Sequence, residues 1–363
     1  MAAAVGLGTA VAHAAISCID GPARSRAVAV RETPPPPGNP GGVPLPQEAV
    51  PADTSHPDRV IGNGTPASCT SRAVVEAVAA GGVIVFDCGP EPVTIVMTET
   101  AKVVNDSSRV IVLDGGGKVT LSGDGRRRIL YMNTCDPAQV WTTSHCQNQD
   151  HPQLTIQGLH FTRGNSTGDH YEGGGGGAVF VRGGRLRVLD SVFSANRCDS
   201  TGPDLGGAAL RVLSQHEGQP VVVANSTFGG RPNLGNVCSN GGAISSIGVS
   251  WRIYNSVFAH NGAIGSGANP ARSGTPGGGS GGAVYLDGNR FTLELAGSVV
   301  TDNTANEGGG AIFFVSNDRT GELFIRSSTL ERNPSRGFET RGYPGIFFLG
   351  RGTPHVESST IRP

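Results

Sequence analysis

Charge is scarce in this sequence. Only 16% of its 363 residues are Asp, Glu, Lys or Arg, and 28 basic side chains face 29 acidic ones. That balance excludes a polybasic nucleic-acid binder. Aromatic residues are few as well, at 6%, too few for a binding groove built on aromatic rings. Lysine is nearly missing: Lys102 and Lys118 stand against 26 arginines, an imbalance that reads as codon usage. No apolar run reaches the ~18 residues that a bilayer span needs. Long helices are excluded by 56 glycines and 24 prolines, and collagen by the lack of a three-residue glycine period.

What is present begins with an address. Residues 1–17 are small and apolar, with no charge before Asp20, and read as the apolar part of a secretory signal. Ala12-His13-Ala14 fits signal-peptidase cleavage. Ala15-Ile16-Ser17-Cys18 resembles a bacterial lipobox, which makes Cys18 a lipidation candidate. Seven cysteines become six when Cys18 is set aside, an even number; both cleavage readings stand. Residues 18–58 form a Pro-rich linker, with Pro34-Pro35-Pro36-Pro37 at its centre, of the composition that makes extended spacers. Residues 59–363 are the folded domain.

That domain is a repeat. One phrase is Gly-Gly-Ala followed by apolar residues, at Gly176, Gly206, Gly241, Gly281 and Gly309. A second is Ser191-Val192-Phe193-Ser194-Ala195-Asn196, echoed from Ser226, Ser256, Ser298 and Ser328, with a partial copy at Ser359-Thr360-Ile361. Between them lies a short alternating segment, such as Leu186/Val188, Val221/Val223 and Trp251/Ile253. Alternation at period two means a strand with one buried face. The phase shifts between Leu186/Val188 and Ser191/Phe193, which places a corner at Asp190, Asn225 and Asn255. Three short strands and three bends per unit, with no helix between, stack into a parallel β-helix of about eight coils, roughly 40 Å long at ~4.8 Å per coil. Phe193, Phe228 and Phe258 are expected to stack inward, and Asn196, Asn261, Asn303 and Asn333 to form an internal amide ladder. Residues 69–80 are the one helix candidate, capped by Thr70 or Ser71 and stopped by Gly81-Gly82, with Val74, Val75 and Val78 on its apolar face. It covers the open N-terminal end of the solenoid.

The paired phrases resemble the repeats of polymorphic outer-membrane proteins and, more broadly, bacterial right-handed parallel β-helix proteins of the pectin-lyase-like superfamily. The resemblance covers roughly residues 60–363 and implies an all-β right-handed solenoid. Cys69, Cys88, Cys135, Cys146, Cys198 and Cys238 are disulfide candidates; neighbour pairing fits their spacing, although six cysteines allow 15 connectivities. No spacing points to a metal site or a cofactor, and calcium enters only if the protein is a lyase.

Lyases of this fold use a basic residue and a cation against uronate carboxylates, and related glycosidases use paired carboxylates. The sequence shows no acidic pair. Its best polar constellation is Asp169-His170-Tyr171-Glu172, which also reads as a solvated loop. The Arg126-Arg127-Arg128 run reads as an exposed strand end, and the Gly/Ser/Pro-rich insertion 262–280 as a flexible loop. These observations lead to an extracellular or cell-surface protein of a bacterial outer envelope. It is expected to be non-enzymatic and to contact a polysaccharide or another envelope protein, with no nucleic acid and with membrane contact only through the N-terminal lipid. The second reading is a polysaccharide lyase or glycoside hydrolase acting on an acidic polysaccharide.

Overall fold

The computed structural model describes residues 1–2, 33–169 and 174–363. The signal-like segment, Cys18, His170, Tyr171 and Glu172 lie outside the described residues. From Arg59 onward the chain winds into a parallel β-solenoid with three faces. The first sheet contains Arg185–Leu189, Val221–Ala224, Trp251–Tyr254, Thr292–Ala296 and Glu322–Arg326, paired in parallel register. Across a corner lies the second, with Val192–Ser194, Thr227–Gly229, Val257–Ala259, Val299–Thr301 and Thr329–Glu331. The third is eight-stranded and runs from Ala101–Lys102 to Ile346–Leu349. In the early coils Val110–Ser122 and Gln153–Thr162 pass through the corner as continuous strands.

Each repeated phrase has one place in the coil. The glycine phrase enters the third sheet, the alternating segment forms the first, and the Ser-x-Phe phrase forms the second. The corner residues Asp190, Asn225 and Asn255 take φ of 48°, 46° and 47°, the left-handed bend that short polar side chains tolerate. The second copy of the glycine phrase is shifted by one residue from its sequence alignment. Leu210 pairs with Val179 and Ile244, so Gly207-Ala208-Ala209 stands where Gly176-Gly177-Ala178 stands in the preceding coil. The first glycine place, Gly176, Gly207, Gly241, Gly281 and Gly309, has φ of 50–73°.

The core is layered along the solenoid axis. Phe161, Phe193, Phe228 and Phe258 are fully buried and stack with ring centroids 5.1, 5.0 and 4.6 Å apart. Beside them runs the amide ladder, which has a fifth member, Asn236. Nδ2 of Asn196, Asn236, Asn261 and Asn303 donates to Oδ1 of the next asparagine at 2.8, 2.9, 2.8 and 2.9 Å. Backbone N–H groups of the same residues donate to the same oxygens at 2.9–3.1 Å. A serine ladder lines the corner: the N–H groups of Ser191, Ser226, Ser256, Ser298 and Ser328 each donate to the hydroxyl one coil on. These ladders satisfy corner backbone groups that turn away from the sheets.

Ser71–Ala80 is the only α-helix among the described residues. Thr70 Oγ1 accepts from the Ala73 N–H, and Gly81 ends the helix at φ 68°. Val74, Ala77 and Val78 are buried in the core, while Val75 is only half-buried. The helix packs on Arg59–Gly62 and Ala101–Lys102, so it takes in the first coil the place later given to the third sheet. Three disulfides, Cys69–Cys88, Cys135–Cys146 and Cys198–Cys238, join cysteines that neighbour one another in the chain order. They fit an oxidising, extracellular or periplasmic compartment. None of the described helices is long and apolar enough to cross a membrane.

Residues 34–57, the described part of the Pro-rich stretch, lie along the outside of the first sheet near its corner. Val43, Leu45 and Ala49 pack on Leu189, Val222, Ala224, Tyr254 and Ala296 in a small core of their own.

Candidate functional site

The outer face of the third sheet gathers most of the polar chemistry. Alternation sends Val179, Val181, Leu210, Val212, Val284 and Leu286 inward. The register then aligns Lys102, Tyr131, Phe180, Arg211, Ser245, Tyr285 and Phe313 in one outward row. Loops of unequal length roof the middle of this row and leave its first end open.

At the open end a groove of about 580 Å³ runs between the helix and the first coils, lined by Thr98, Glu99, Thr100, Lys102, Arg127 and Gln139 beside Val75 and Ala79. The exposed Lys102 ammonium stands 5.8 Å from the centre of the Tyr131 ring. Arg127 donates to the Thr98 carbonyl. Two cations, one carboxylate, two hydroxyls and a carboxamide thus line one open channel.

The adjoining roof contains Asp169. Its carboxylate accepts from Arg128 Nη1 at 2.6 Å, and Arg128 also donates to the carbonyls of Gly175 and Gly176. The Arg128 side chain is 6% exposed and lies on the Tyr131 and Phe180 rings. Burial lowers its pKa, and Asp169 opposes that shift. Asp169 therefore neutralises a buried guanidinium and pins the loop before the glycine run. The arginine run is also corrected: Arg126 and Arg127 are at the surface, but Arg128 is buried because its pair and two carbonyls satisfy it.

Further along, side chains that sequence reasoning did not assemble come together. Asn269, from the 262–280 insertion, directs Nδ2 at Tyr285 Oη (2.6 Å), Asp204 Oδ1 (3.1 Å) and Asp287 Oδ2 (3.2 Å). Tyr285 Oη lies 3.2 Å from Asp287 Oδ2, and Asn317 Nδ2 donates to Asp287 Oδ1 at 3.1 Å. Arg211 is fully enclosed, donating to Ser245 Oγ and the Asp204 carbonyl at 2.6 Å each. Burial pushes its pKa down to about 10, so it stays cationic at neutral pH. The same burial raises Tyr285, and it raises Asp287 with help from the nearby Asp204 charge. An acidic pair does exist, then, although it joins a loop residue, Asp204, to a strand residue, Asp287, and escapes a sequence search.

The insertion read as flexible is fastened. Arg272 makes a two-pronged pair with Glu307 at 2.9 and 2.6 Å, and Gly267 N–H donates to the same carboxylate. His160, on the second sheet, has its ring between Thr120 Oγ1 and Ser194 Oγ, and desolvation pushes its pKa down to about 4. Among the described residues no cluster of three or more His, Cys, Asp or Glu side chains is placed to hold a metal ion. Comparison with family models, curated proteins and solved structures returned no match to this chain.

Proposed function

We propose that this protein is a secreted or surface-tethered β-solenoid of a bacterial outer envelope that contacts an acidic glycan without cleaving it. The observation that carries the reading is the open groove, where the two cations Lys102 and Arg127 outnumber the one carboxylate, Glu99, among Thr98, Thr100 and Gln139. Cations suit a uronate or sulfate group, and the hydroxyls and carboxamide suit sugar hydroxyls. The non-enzymatic part starts from Asp169, whose carboxylate pairs with the buried Arg128 guanidinium. The handedness of the coil and the likeness to polymorphic outer-membrane repeats belong to the same proposal, as does lipidation at Cys18. The experiment is a binding screen of the full chain against acidic and neutral polysaccharides; retention of neutral glycans alone would count against it.

One observation favours hydrolysis instead. Asp204 and Asp287 share the Asn269 amide, at 3.1 and 3.2 Å, which holds these two oxygens no more than about 6 Å apart, a ceiling that admits the ~5–5.5 Å separation of a retaining carboxyl pair. The raised Asp287 would be the acid and Asp204 its partner. Reducing-sugar release, or unsaturated uronate absorbance for a lyase, decides between binding and cleavage. Release abolished by Asp287→Asn would establish the enzyme.

A further inference from the structure

Residues 34–57 contact the solenoid in the way a ligand contacts a receptor. This strap runs against the order of the coils. Asn39 Nδ2 donates to the Gly297 carbonyl, Glu48 reaches Arg252 one coil earlier, Ala52 meets Gln157, and Thr54 Oγ1 donates to Asp114. Two carboxamides clamp its backbone. Asn255 Oδ1 accepts from the Val43 N–H at 2.7 Å while its Nδ2 donates to the Val43 carbonyl at 2.8 Å. Gln157 does the same for Ala52, at 2.9 and 3.0 Å. A carboxamide paired with both polar groups of one residue reads extended backbone whatever the side chain is. Between the clamps, both Glu48 carboxylate oxygens lie 2.9 Å from Arg252 Nη1, and the Glu48 carbonyl accepts from Arg187.

Sequence selectivity comes from close approach. A Cβ at Gly42 would fall 2.0 Å from Asn255 Oδ1, and one at Gly38, where φ is +69°, would fall 2.6 Å from the Asn225 backbone. Pro35 and Ala49 are buried against the coils. The groove therefore accepts a Pro/Gly-rich segment with an acidic residue on a short 3-10 turn, Gln47–Ala49, at its centre.

We infer that the outer corner of the first sheet is a peptide-binding groove, that residues 34–57 are its intramolecular occupant, and that the strap of a second copy of this chain takes the same seat when the resident strap swings out. Identity of sequence makes the second copy complementary at every clamp. The pivot also suits exchange: the strap joins the first coil through Ser55–Asp58, at the end of the stack, and Asp58 N–H is already bonded to the Val83 carbonyl. An extended strap of this length reaches roughly 70 Å, beyond its own coils and onto those of a partner meeting the same end. Such a reciprocal swap closes as a two-fold dimer. This inference is independent of the glycan reading.

Complementation of two full-length variants tests it. Gly38→Val with Gly42→Val spoils the strap and spares the groove, whereas Gln157→Ala with Asn255→Gly spoils the groove and spares the strap. Each variant alone runs as a monomer in light scattering; an equimolar mixture forms a 1:1 heterodimer that free peptide of residues 34–57 dissolves. Unmodified chain also takes up the fluorescent peptide saturably, and the groove variant binds it at least tenfold more weakly. A mixture that stays monomeric while the strap-spoiled chain binds peptide overturns the exchange. Failure of the peptide to bind both the unmodified and the strap-spoiled chains overturns the groove itself.

Discussion

Asn261 sits at the centre of the amide ladder, and its truncation has a cost that can be worked from the structure. Its Oδ1 accepts from the Asn236 backbone N–H at 3.0 Å and from Asn236 Nδ2 at 2.9 Å. Its Nδ2 donates to the Phe228 carbonyl at 3.0 Å and to Asn303 Oδ1 at 2.8 Å. It also donates to the Ala259 carbonyl at 3.3 Å, and Asn261→Ala removes all five. Asn236 Nδ2 keeps the Phe193 carbonyl, and Asn303 Oδ1 keeps the Asn261 N–H. The Asn236 N–H loses its acceptor in a site where Asn236 is 0% exposed, while the Phe228 carbonyl keeps its place in the parallel ladder with Val257–Ala259. One buried orphan at about 1–3 kcal/mol, with a half-lost ladder bond on either side, gives a cost of about 2–4 kcal/mol. The assay is native-state hydrogen exchange. Amides of the two flanking coils should lose protection by that amount, while the cap helix changes little, because solenoid coils couple chiefly to their neighbours. Exposed Asn289→Ala is the control and should be silent. A loss below about 1 kcal/mol with unchanged protection at Asn236 would refute the ladder's role.

Three further outcomes are expected. Phe258→Ala opens a gap between stacked rings and should cost about 3–5 kcal/mol in urea unfolding; a cost under about 1 kcal/mol would mean the ring is not in the stack. Acid should weaken the fold. His160 binds its proton more weakly when folded, so its contribution is complete above its ordinary pKa near 6.5 and is lost as pH falls toward 4. Asp302 and Glu307, held low by Arg332 and Arg272, lose stability in the same direction at lower pH; thermal melts from pH 7 to 4 should decline, and the decline above pH 5 should vanish in His160→Gln. Cys18→Ala should release the protein from membranes into the medium, and identical soluble secretion of both forms would end the lipidation reading.

Regularity made the solenoid legible. Ser191, Ser226, Ser256, Ser298 and Ser328 recur because each occupies the same corner, and Phe193, Phe228 and Phe258 because each fills the same layer. Asn236 escaped notice because residues 230–235 intrude between it and Phe228 and break the phrase. The shift at Gly207 was hidden by Ala208, which mimics the phrase one residue early. Proline content points to an extended segment over residues 34–57, but not to the 3-10 turn at Gln47–Ala49 nor to the seating by Asn255 and Gln157, since these contacts cross more than a hundred residues of chain. The Asp204–Asn269–Asp287 cluster is assembled when two loops whose lengths follow no period reach over the strand Val284–Gly288. Fold is encoded in what repeats; the polar sites lie in what does not.

The central functional claim is that cations in the open groove hold an acidic glycan. Its most direct test is a calorimetric titration of the full chain with the acidic oligosaccharide retained in the binding screen, alongside the double variant Lys102→Ala, Arg127→Ala. The account predicts saturable binding that weakens as salt rises and falls at least tenfold in the variant, with coil protection in hydrogen exchange unchanged. Affinity that is equal in the two proteins and insensitive to salt would contradict it.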